Sequence, residues 1–337
     1  MPNCAKKYLP KKQYEKAFSH PFKDCKISTY FCLLVRFQFP IILLLVILLF
    51  ACKQNPSNDK KVKVIATTNI IGNCLENMLD SHQFSVQSLM GPGIDPHKYK
   101  ASHSDIKLLN SADVIVYNGL HLEGKMSQIL EKLSKTRQVV AVSEAIDKKE
   151  FILVDSQAGL YDPHFWFNLG LWRTALDKTV KQIQKWYPNI DFEKANKYLA
   201  EIDSTNMWAK SQLLDIPEDA RVLITSHDAF HYFGNSYNIQ VKALQGISTV
   251  SEFGLKDIVE LIDFIVGNQI PSIFIENSIN PKSINSVIQG ARKKGHEVAL
   301  GGELFSDALG DAQNPEGTYV GMIKYNVRTI KKGLNHD

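Results

Sequence analysis

Residues 62–67 read VKVIAT, and residues 70–80 read IIGNCLENMLD. The first stretch is an apolar run that predicts a buried strand, and the second predicts a helix. The same alternation continues with a strand at 84–89, a helix at 104–111 and a strand at 112–118. Strands that alternate with helices indicate a parallel sheet with helices packed on its faces. The sequence therefore predicts an α/β fold.

The alternation returns in the second half of the chain. Short apolar strands are predicted at 221–225, 239–243, 273–276 and 298–300, with helices at 255–268 and 281–294 between them. A second run of the same pattern indicates a second α/β lobe with its own mostly parallel sheet.

One long helix is predicted between the two halves, over residues 191–214. Its apolar and small residues recur at intervals of three and four, which is typical of an amphipathic helix. At 1.5 Å per residue such a helix spans about 36 Å, enough to run along both lobes. The sequence therefore predicts an N-terminal lobe at 62–190, a linker helix at 191–215 and a C-terminal lobe at 216–337.

The composition is that of a globular protein, since 44% of the 337 residues are hydrophobic and 22% are charged. That is enough apolar material for two domains. The formal net charge of +4 comes from residues 1–51, which hold eight Lys or Arg residues against two acidic ones, so the remainder is slightly acidic. A chain whose body has no excess of Lys and Arg residues is not expected to bind nucleic acid.

The N-terminal region has the pattern of a secretion signal. Residues 37–51, FQFPIILLLVILLFA, form an uncharged apolar run between Arg36 and Cys52. The run is shorter than the roughly 20 residues of a transmembrane helix, although a permanent anchor helix is the alternative. Residues 49–52 resemble a bacterial lipobox, in which the cysteine is acylated and becomes the mature N-terminus. We therefore expect a signal region at 1–51 and lipidation of Cys52.

The polar residues that follow Cys52 predict a flexible tether at 52–61. The segment of residues 1–34 is unusually long for the region that precedes the apolar part of a signal, which indicates that translation begins near Val35. Of the five cysteines, Cys74 alone lies in the predicted body, so no disulfide is expected within it.

Three of the ten histidines lie in loops beside predicted strands: His97 in GPGIDPHKY, His164 in LYDPHFWFN and His227 in LITSHDAFHYFG. Two share Asp-Pro-His, in which the proline stiffens the loop and the aspartate can orient the backbone or the imidazole. Asp307 lies in the glycine-flanked loop GGELFSDALG. Taken singly, each has a plainer interpretation, as a surface turn or a helix N-cap. Together, three imidazoles and a carboxylate form a tetrahedral set suited to Zn²⁺ and acceptable to Mn²⁺.

Motifs along the whole chain resemble those of the TroA-like metal-binding lipoproteins (cluster A-I), the solute-binding proteins of ABC importers for zinc and manganese. The resemblance runs from Val62 to Ile330 and rests on TTNIIGN, GPGIDPHKYKAS, NGLHLEG, DPHFWFN, SHDAFHYFG, LQGISTVSE, IFIENSI and GGELFSDALGDA, in the family's order. It implies two α/β lobes joined by a single long helix, and high-affinity capture of metal for a membrane permease and its ATPase. We expect a lipid-anchored monomer in the periplasm or at the cell surface.

The resemblance implies that one Zn²⁺ or Mn²⁺ ion, the transported ligand, is bound by His97, His164, His227 and Asp307 at the interface of the lobes. Members dedicated to manganese carry Glu at the position of His227, so zinc is favoured here. Zinc members often insert a histidine-rich loop between the first two ligands, whereas residues 123–161 contain no histidine. Manganese, or use of both metals, therefore stays open.

Four further residues are expected to support the ligands. Glu276 ends a predicted strand that points toward the cleft. His121 and Glu123 of NGLHLEG are expected to pack or hydrogen-bond near the site. His231 follows His227 by four residues on one helix face, a spacing that can chelate a metal, although its aromatic neighbours favour packing.

A zinc hydrolase and a surface adhesin are the alternative functions. A hydrolase needs an open coordination position and a general base. The four residues already fill a tetrahedron and no HExxH motif is present, so the protein is expected not to be an enzyme. Some lipoproteins of this cluster have been labelled adhesins, but this sequence has no repeat that would support adhesion.

Overall fold

The computed structural model describes residues 60–189 and 192–335. The predicted signal region, the lipidation site Cys52 and most of the tether lie outside the described residues. Within those two ranges, no helix combines the length and the apolar character needed to cross a membrane.

The first lobe is built on a four-stranded parallel sheet with the strand order β2-β1-β3-β4. Its strands are β1 (Val62–Ala66), β2 (Phe84–Ser88), β3 (Val114–Tyr117) and β4 (Gln138–Ala141). Its helices are α1 (Asn69–Met78), α2 (His103–Asn110) and α3 (Ser127–Ser134). Because parallel strands end at the same edge of a sheet, the loops that follow them gather on one side of this lobe.

Local sequence explains where these helices begin. The side chain of Thr68 accepts a hydrogen bond from the Ile71 N–H and caps α1. Ser102 and Asp105 form a reciprocal capping box at the start of α2. Such caps satisfy backbone donors that the first turn of a helix leaves free. They fix the direction in which the chain leaves the edge of the sheet.

A small antiparallel hairpin, β5 (Leu153–Asp155) and β6 (Leu160–Tyr161), interrupts the alternation just before His164. Sequence periodicity did not predict it. Its strands are only three and two residues long, too short to carry a recognisable repeat.

The second lobe holds two parallel strand pairs, β7 with β8 and β9 with β10, and β7 lies beside β9. Its strands are β7 (Val222–His227), β8 (Gln240–Gln245), β9 (Ser272–Glu276) and β10 (Ala299–Leu304). Its helices are α6 (His231–Tyr237), α7 (Leu255–Gly267), α8 (Lys282–Lys293) and α9 (Tyr319–Leu334). The fold class predicted from the sequence is thus confirmed.

Two long helices, α4 (Leu169–Trp186) and α5 (Phe192–Leu213), follow the first lobe in the chain and precede the strands of the second. The helix predicted at 191–214 corresponds to α5, which packs against α1, α4 and α9 and so contacts elements from both halves of the chain. The apolar stripe that predicted it is buried at Ala195, Leu199, Ile202, Ala209 and Leu213. The division of the chain at residues 190 and 216 stays a prediction.

Candidate metal centre

His97, His164, His227 and Asp307 come together at the junction of the two lobes. Each offers one ligand atom, and these atoms all lie within 4.8 Å of one another. His97 follows β2 and His164 follows β6, whereas His227 ends β7 and Asp307 follows β10. All four residues are buried, with at most 4% of their surface exposed. Two imidazoles thus come from the first lobe, and an imidazole and a carboxylate from the second.

The distances between these atoms have the scale of a metal coordination sphere. Nε2 of His97 lies 3.2 Å from Nε2 of His164, which lies 3.4 Å from Oδ1 of Asp307. Nε2 of His227 lies 3.2 Å from Oδ2 of Asp307, and Nε2 of His97 lies 3.9 Å from the same oxygen. Donors bound at 2.0–2.1 Å to a tetrahedral zinc ion are about 3.3 Å apart. Three of these four distances are close to that edge length.

Several of these buried atoms have no hydrogen-bond partner among the described residues. They include both carboxylate oxygens of Asp307 and Nε2 of His227. A buried carboxylate is costly because it has lost its hydration, and imidazole nitrogens at 3.2 and 3.4 Å compensate for that loss only when they carry protons. A cation at the centre of the cluster would satisfy all three atoms at once.

Asp162 orients the imidazole of His164. Its Oδ1 accepts the backbone N–H of His164 at 2.9 Å and lies 2.7 Å from Nδ1 of the same ring. An Nδ1–H that donates to this carboxylate leaves Nε2 free, with its lone pair directed at the cluster. In the other Asp-Pro-His sequence, Oδ1 of Asp95 accepts the backbone N–H of His97 at 2.9 Å. The shared motif therefore positions the backbone in both loops and the ring in one.

Glu276 performs the corresponding role for His227. It stands at the end of β9, where its Oε2 lies 2.5 Å from Nδ1 of His227 and its Oε1 accepts the His227 backbone N–H at 2.9 Å. Glu276 is itself buried. Its two oxygens hold the ring and the backbone of one residue, so Nε2 of His227 faces Asp307.

Glu123 is buried, and its connection to the cluster is indirect. Its Oε1 accepts the Thr67 hydroxyl at 2.6 Å and the Asn118 backbone N–H at 2.8 Å. The side chain of Asn118 in turn donates to the carbonyl of Pro163, next to His164, at 3.0 Å. Glu123 therefore supports the His164 loop through Asn118.

The structure does not bring His121 or His231 among the four donors. His121 is exposed and has a left-handed backbone, with φ 65°. Nδ1 of His231 lies 3.5 Å from Oδ2 of Asp162, and its Nε2 lies 3.1 Å from Oδ1 of Asp228. His231 thus contacts the carboxylate that holds His164, and it keeps 35% of its side-chain surface exposed.

The cluster perturbs the acidity of its own members. Burial lowers the pKa of His97 to about 3. Burial also disfavours a charged His164, but Asp162 and Asp307 outweigh it and raise its pKa to about 9. Burial also lowers the pKa of His227, but the carboxylates of Glu276 and Asp307 have the larger effect and raise it well above the usual value. Asp307, despite burial, has a pKa well below the usual one because the imidazoles of His227 and His164 face it. Without metal, protons on His164 and His227 supply the positive charge that Asp307 requires.

Tyr232, one of the aromatic neighbours of His231 that were expected only to pack, also contributes hydrogen bonds to the site. Its hydroxyl donates to the carbonyl of Asp162 at 3.0 Å and accepts the N–H of Ile152 at 3.0 Å. It belongs to α6 of the second lobe, yet it holds the His164 loop and the base of the β5–β6 hairpin in the first. The sequence feature that could have indicated this role is a tyrosine, rather than a phenylalanine, among apolar neighbours, because buried tyrosine hydroxyls usually have a hydrogen-bond partner.

Comparison with known proteins identifies the family to which the chain is similar. The family model described as zinc-uptake complex component A, periplasmic, matches residues 64–333. The manganese-binding lipoprotein MntA of Bacillus subtilis (strain 168) is 47% identical over 281 residues, which cover 82% of this chain and 91% of MntA. The zinc-binding protein TroA of Treponema pallidum (strain Nichols) is 40% identical over 284 residues, which cover 83% of this chain and 91% of TroA. The solved structure of the periplasmic zinc-binding protein TroA from Treponema pallidum matches with a TM-score of 0.78 at 39% identity, covering 82% of this chain and all of that one.

Proposed function

The chain belongs to the family of periplasmic zinc-uptake component A proteins, and we propose that His97, His164, His227 and Asp307 hold the metal ion that it captures. It is the metal-binding component of an ABC uptake system for manganese or zinc. Its family consists of solute-binding proteins and not of enzymes, which rules out the hydrolase alternative.

One observation carries the ligand assignment. Four buried residues bring their ligand atoms within 4.8 Å of one another, and the oxygens of Asp307 have no hydrogen-bond partner in the described part of the chain. The ion would bridge the lobes, since each lobe supplies two donors. A single cluster of this kind in the described residues supports one ion per chain.

The donor set supports binding of both metals, with the tighter affinity for zinc. Three imidazoles and one carboxylate suit tetrahedral Zn²⁺, and Zn²⁺ follows Mn²⁺ in the Irving–Williams order of affinity. Two relatives are named for different metals, manganese in Bacillus subtilis and zinc in Treponema pallidum. Manganese would therefore be carried where zinc is scarce.

The protein is an extracytoplasmic lipoprotein. Acylation of Cys52, which lies outside the described residues, would anchor it to a bacterial membrane beside its permease. We propose that it acts there as a monomer, handing its ion to the permease while the associated ATPase drives uptake.

The test is metal analysis followed by calorimetric titration with zinc and with manganese. The wild-type protein should bind one ion per chain, and alanine at any of the four positions should weaken zinc binding by orders of magnitude. His103→Ala is the matched control, because His103 is an exposed histidine outside the cluster. Zinc binding by His164→Ala equal to that of wild type would refute the ligand assignment.

A further inference from the structure

A hydrogen bond joins the two lobes beside the candidate metal centre. The hydroxyl of Thr249, in the loop that follows β8, donates to Oδ2 of Asp95 in the first lobe at 2.6 Å. The two residues are 154 positions apart in the chain. Thr249 is 1% exposed, and the side chain of Asp95 keeps only 12% of its surface exposed. Low exposure protects this charge-assisted hydrogen bond from competition by water.

The same carboxylate also holds a candidate metal ligand. While Oδ2 of Asp95 accepts the Thr249 hydroxyl, Oδ1 accepts the backbone N–H of His97 at 2.9 Å. Nζ of the exposed Lys98 lies 3.6 Å from the same Oδ2, a longer contact than the 2.6 Å hydrogen bond from Thr249. Asp95 therefore connects a hydroxyl of the second lobe to the loop that positions His97.

The loop that carries Thr249 is fixed from the other side by Gln245. The Gln245 side-chain amide donates to the carbonyl of Thr249 at 2.8 Å and also to that of Ser251. Gln245 ends β8, and in the β7–β8 pairing it lies directly opposite His227. A continuous polar connection thus runs from the strand position beside His227, through Thr249 and Asp95, to His97.

We propose that Thr249 is a positioning residue that holds the His97 loop against the second lobe and slows release of the bound metal. The inference rests on the proposed function. All four donors are buried and are divided between the lobes, so an enclosed ion leaves only when the donors of one lobe move away from those of the other. That separation must break the Thr249–Asp95 hydrogen bond, whereas metal arriving at separated lobes meets no such contact. Loss of the hydroxyl therefore accelerates release more than it changes capture.

Thr249→Val tests the proposal, because valine keeps the branched shape of threonine and replaces the hydroxyl by a methyl group that cannot donate. Zinc dissociation from the full-length protein is measured by stopped flow against excess chelator, and association is measured by mixing with zinc. We expect dissociation about tenfold faster in Thr249→Val, as for loss of a hydrogen bond to a charged group. Association and the one-to-one stoichiometry should stay unchanged. Thr249→Ser, which restores the hydroxyl, should return the dissociation rate to within about twofold of wild type.

Thr174→Val is the matched control, because the Thr174 hydroxyl donates only to Gly170 within α4. It should leave zinc dissociation unchanged. Thermal unfolding of the metal-free proteins detects a purely structural effect of each substitution. Thr249→Ala provides a second variant without the hydroxyl if Thr249→Val does not fold. Wild-type dissociation rates in the hydroxyl-free variants would overturn the role of Thr249 and leave the proposed function standing. Failure of the wild-type protein to bind zinc would overturn both.

Discussion

Both carboxylate oxygens of Glu276 are directed at a single residue: Oε2 lies 2.5 Å from Nδ1 of His227, and Oε1 accepts the His227 backbone N–H. Ring and backbone of His227 are thereby fixed by one side chain from the neighbouring strand β9. A carboxylate on the far nitrogen of an imidazole fixes its tautomer and increases the basicity of the nitrogen that faces the metal. His227 and Glu276 are therefore expected to act as a unit in metal binding.

Replacing Glu276 by Gln should weaken zinc binding about 10- to 100-fold, the usual range for loss of a carboxylate behind a metal-binding histidine. The amide keeps the size of the side chain but no longer stabilises an Nδ1–H donor through a full negative charge. Competitive titration against a chelator measures the effect. Glu303→Gln, at an exposed position on β10, is the control and should bind zinc like wild type.

Replacing His227 by Glu should lower the ratio of zinc affinity to manganese affinity. A carboxylate is a harder donor than imidazole and can bind through two oxygens, which suits the higher coordination numbers of Mn²⁺. Glu276 would then face a second carboxylate, so His227→Glu combined with Glu276→Gln should bind both metals better than His227→Glu alone. Competition titrations at one pH and ionic strength measure the ratios. An unchanged or higher ratio in His227→Glu would exclude His227 as a ligand.

Metal affinity should increase with pH up to about 9, the pKa of His164 in the absence of metal. Below that pH His164 carries a proton, and the raised pKa of His227 favours its protonated form as well; metal must displace these protons before it binds. His97, whose pKa is about 3, is already neutral and contributes no proton near pH 7. Calorimetry in buffers of different ionisation enthalpy should show proton release on zinc binding at neutral pH. Zero release, with constant affinity from about pH 6 to pH 9, would contradict this account.

The sequence was sufficient to predict the parts of the site that local patterns encode. Asp-Pro-His indicated both the candidate ligand His164 and the aspartate that orients it, because the two residues are only two positions apart. The strand ending at Glu276 was predicted from a short apolar run, and its side chain reaches the site because parallel strands end at one edge. The spacing of apolar residues predicted α5 to within a few residues at each end.

Contacts between distant segments could not be predicted in this way. Thr249 and Asp95 are separated by 154 positions, and neither residue type signals the other. His231 has the i, i+4 spacing of a chelating pair, yet its imidazole faces Asp162 and Asp228. The direction in which α6 leaves the end of β7 decides that outcome. That direction depends on packing of the two lobes and not on any local pattern.

Cys74 should be inert toward thiol reagents in the folded protein. It is fully buried on α1, and burial raises the pKa of its thiol to about 12, so almost no thiolate is present at neutral pH. Alkylation followed by peptide mapping should leave the peptide that contains Cys74 unmodified in native protein and modified after denaturation in guanidinium. Rapid modification without denaturant would show that α1 opens locally.

Tyr232→Phe should destabilise the protein by about 1–3 kcal/mol and also weaken zinc binding, because the lost hydroxyl serves both lobes. The hydroxyl accepts the N–H of Ile152 and donates to the carbonyl of Asp162, whose side chain orients His164. Phenylalanine fills the same space but leaves that N–H and that carbonyl without this partner at a largely buried position. Denaturant unfolding of the metal-free protein measures the first effect, and zinc titration measures the second. Tyr237→Phe is the control, because the hydroxyl of Tyr237, on the same helix, donates to Asn206 of α5 at 3.2 Å and not to a ligand loop. A loss of stability with wild-type zinc affinity would mean that Asp162 and His164 keep their positions without Tyr232, and that the hydroxyl serves the fold alone.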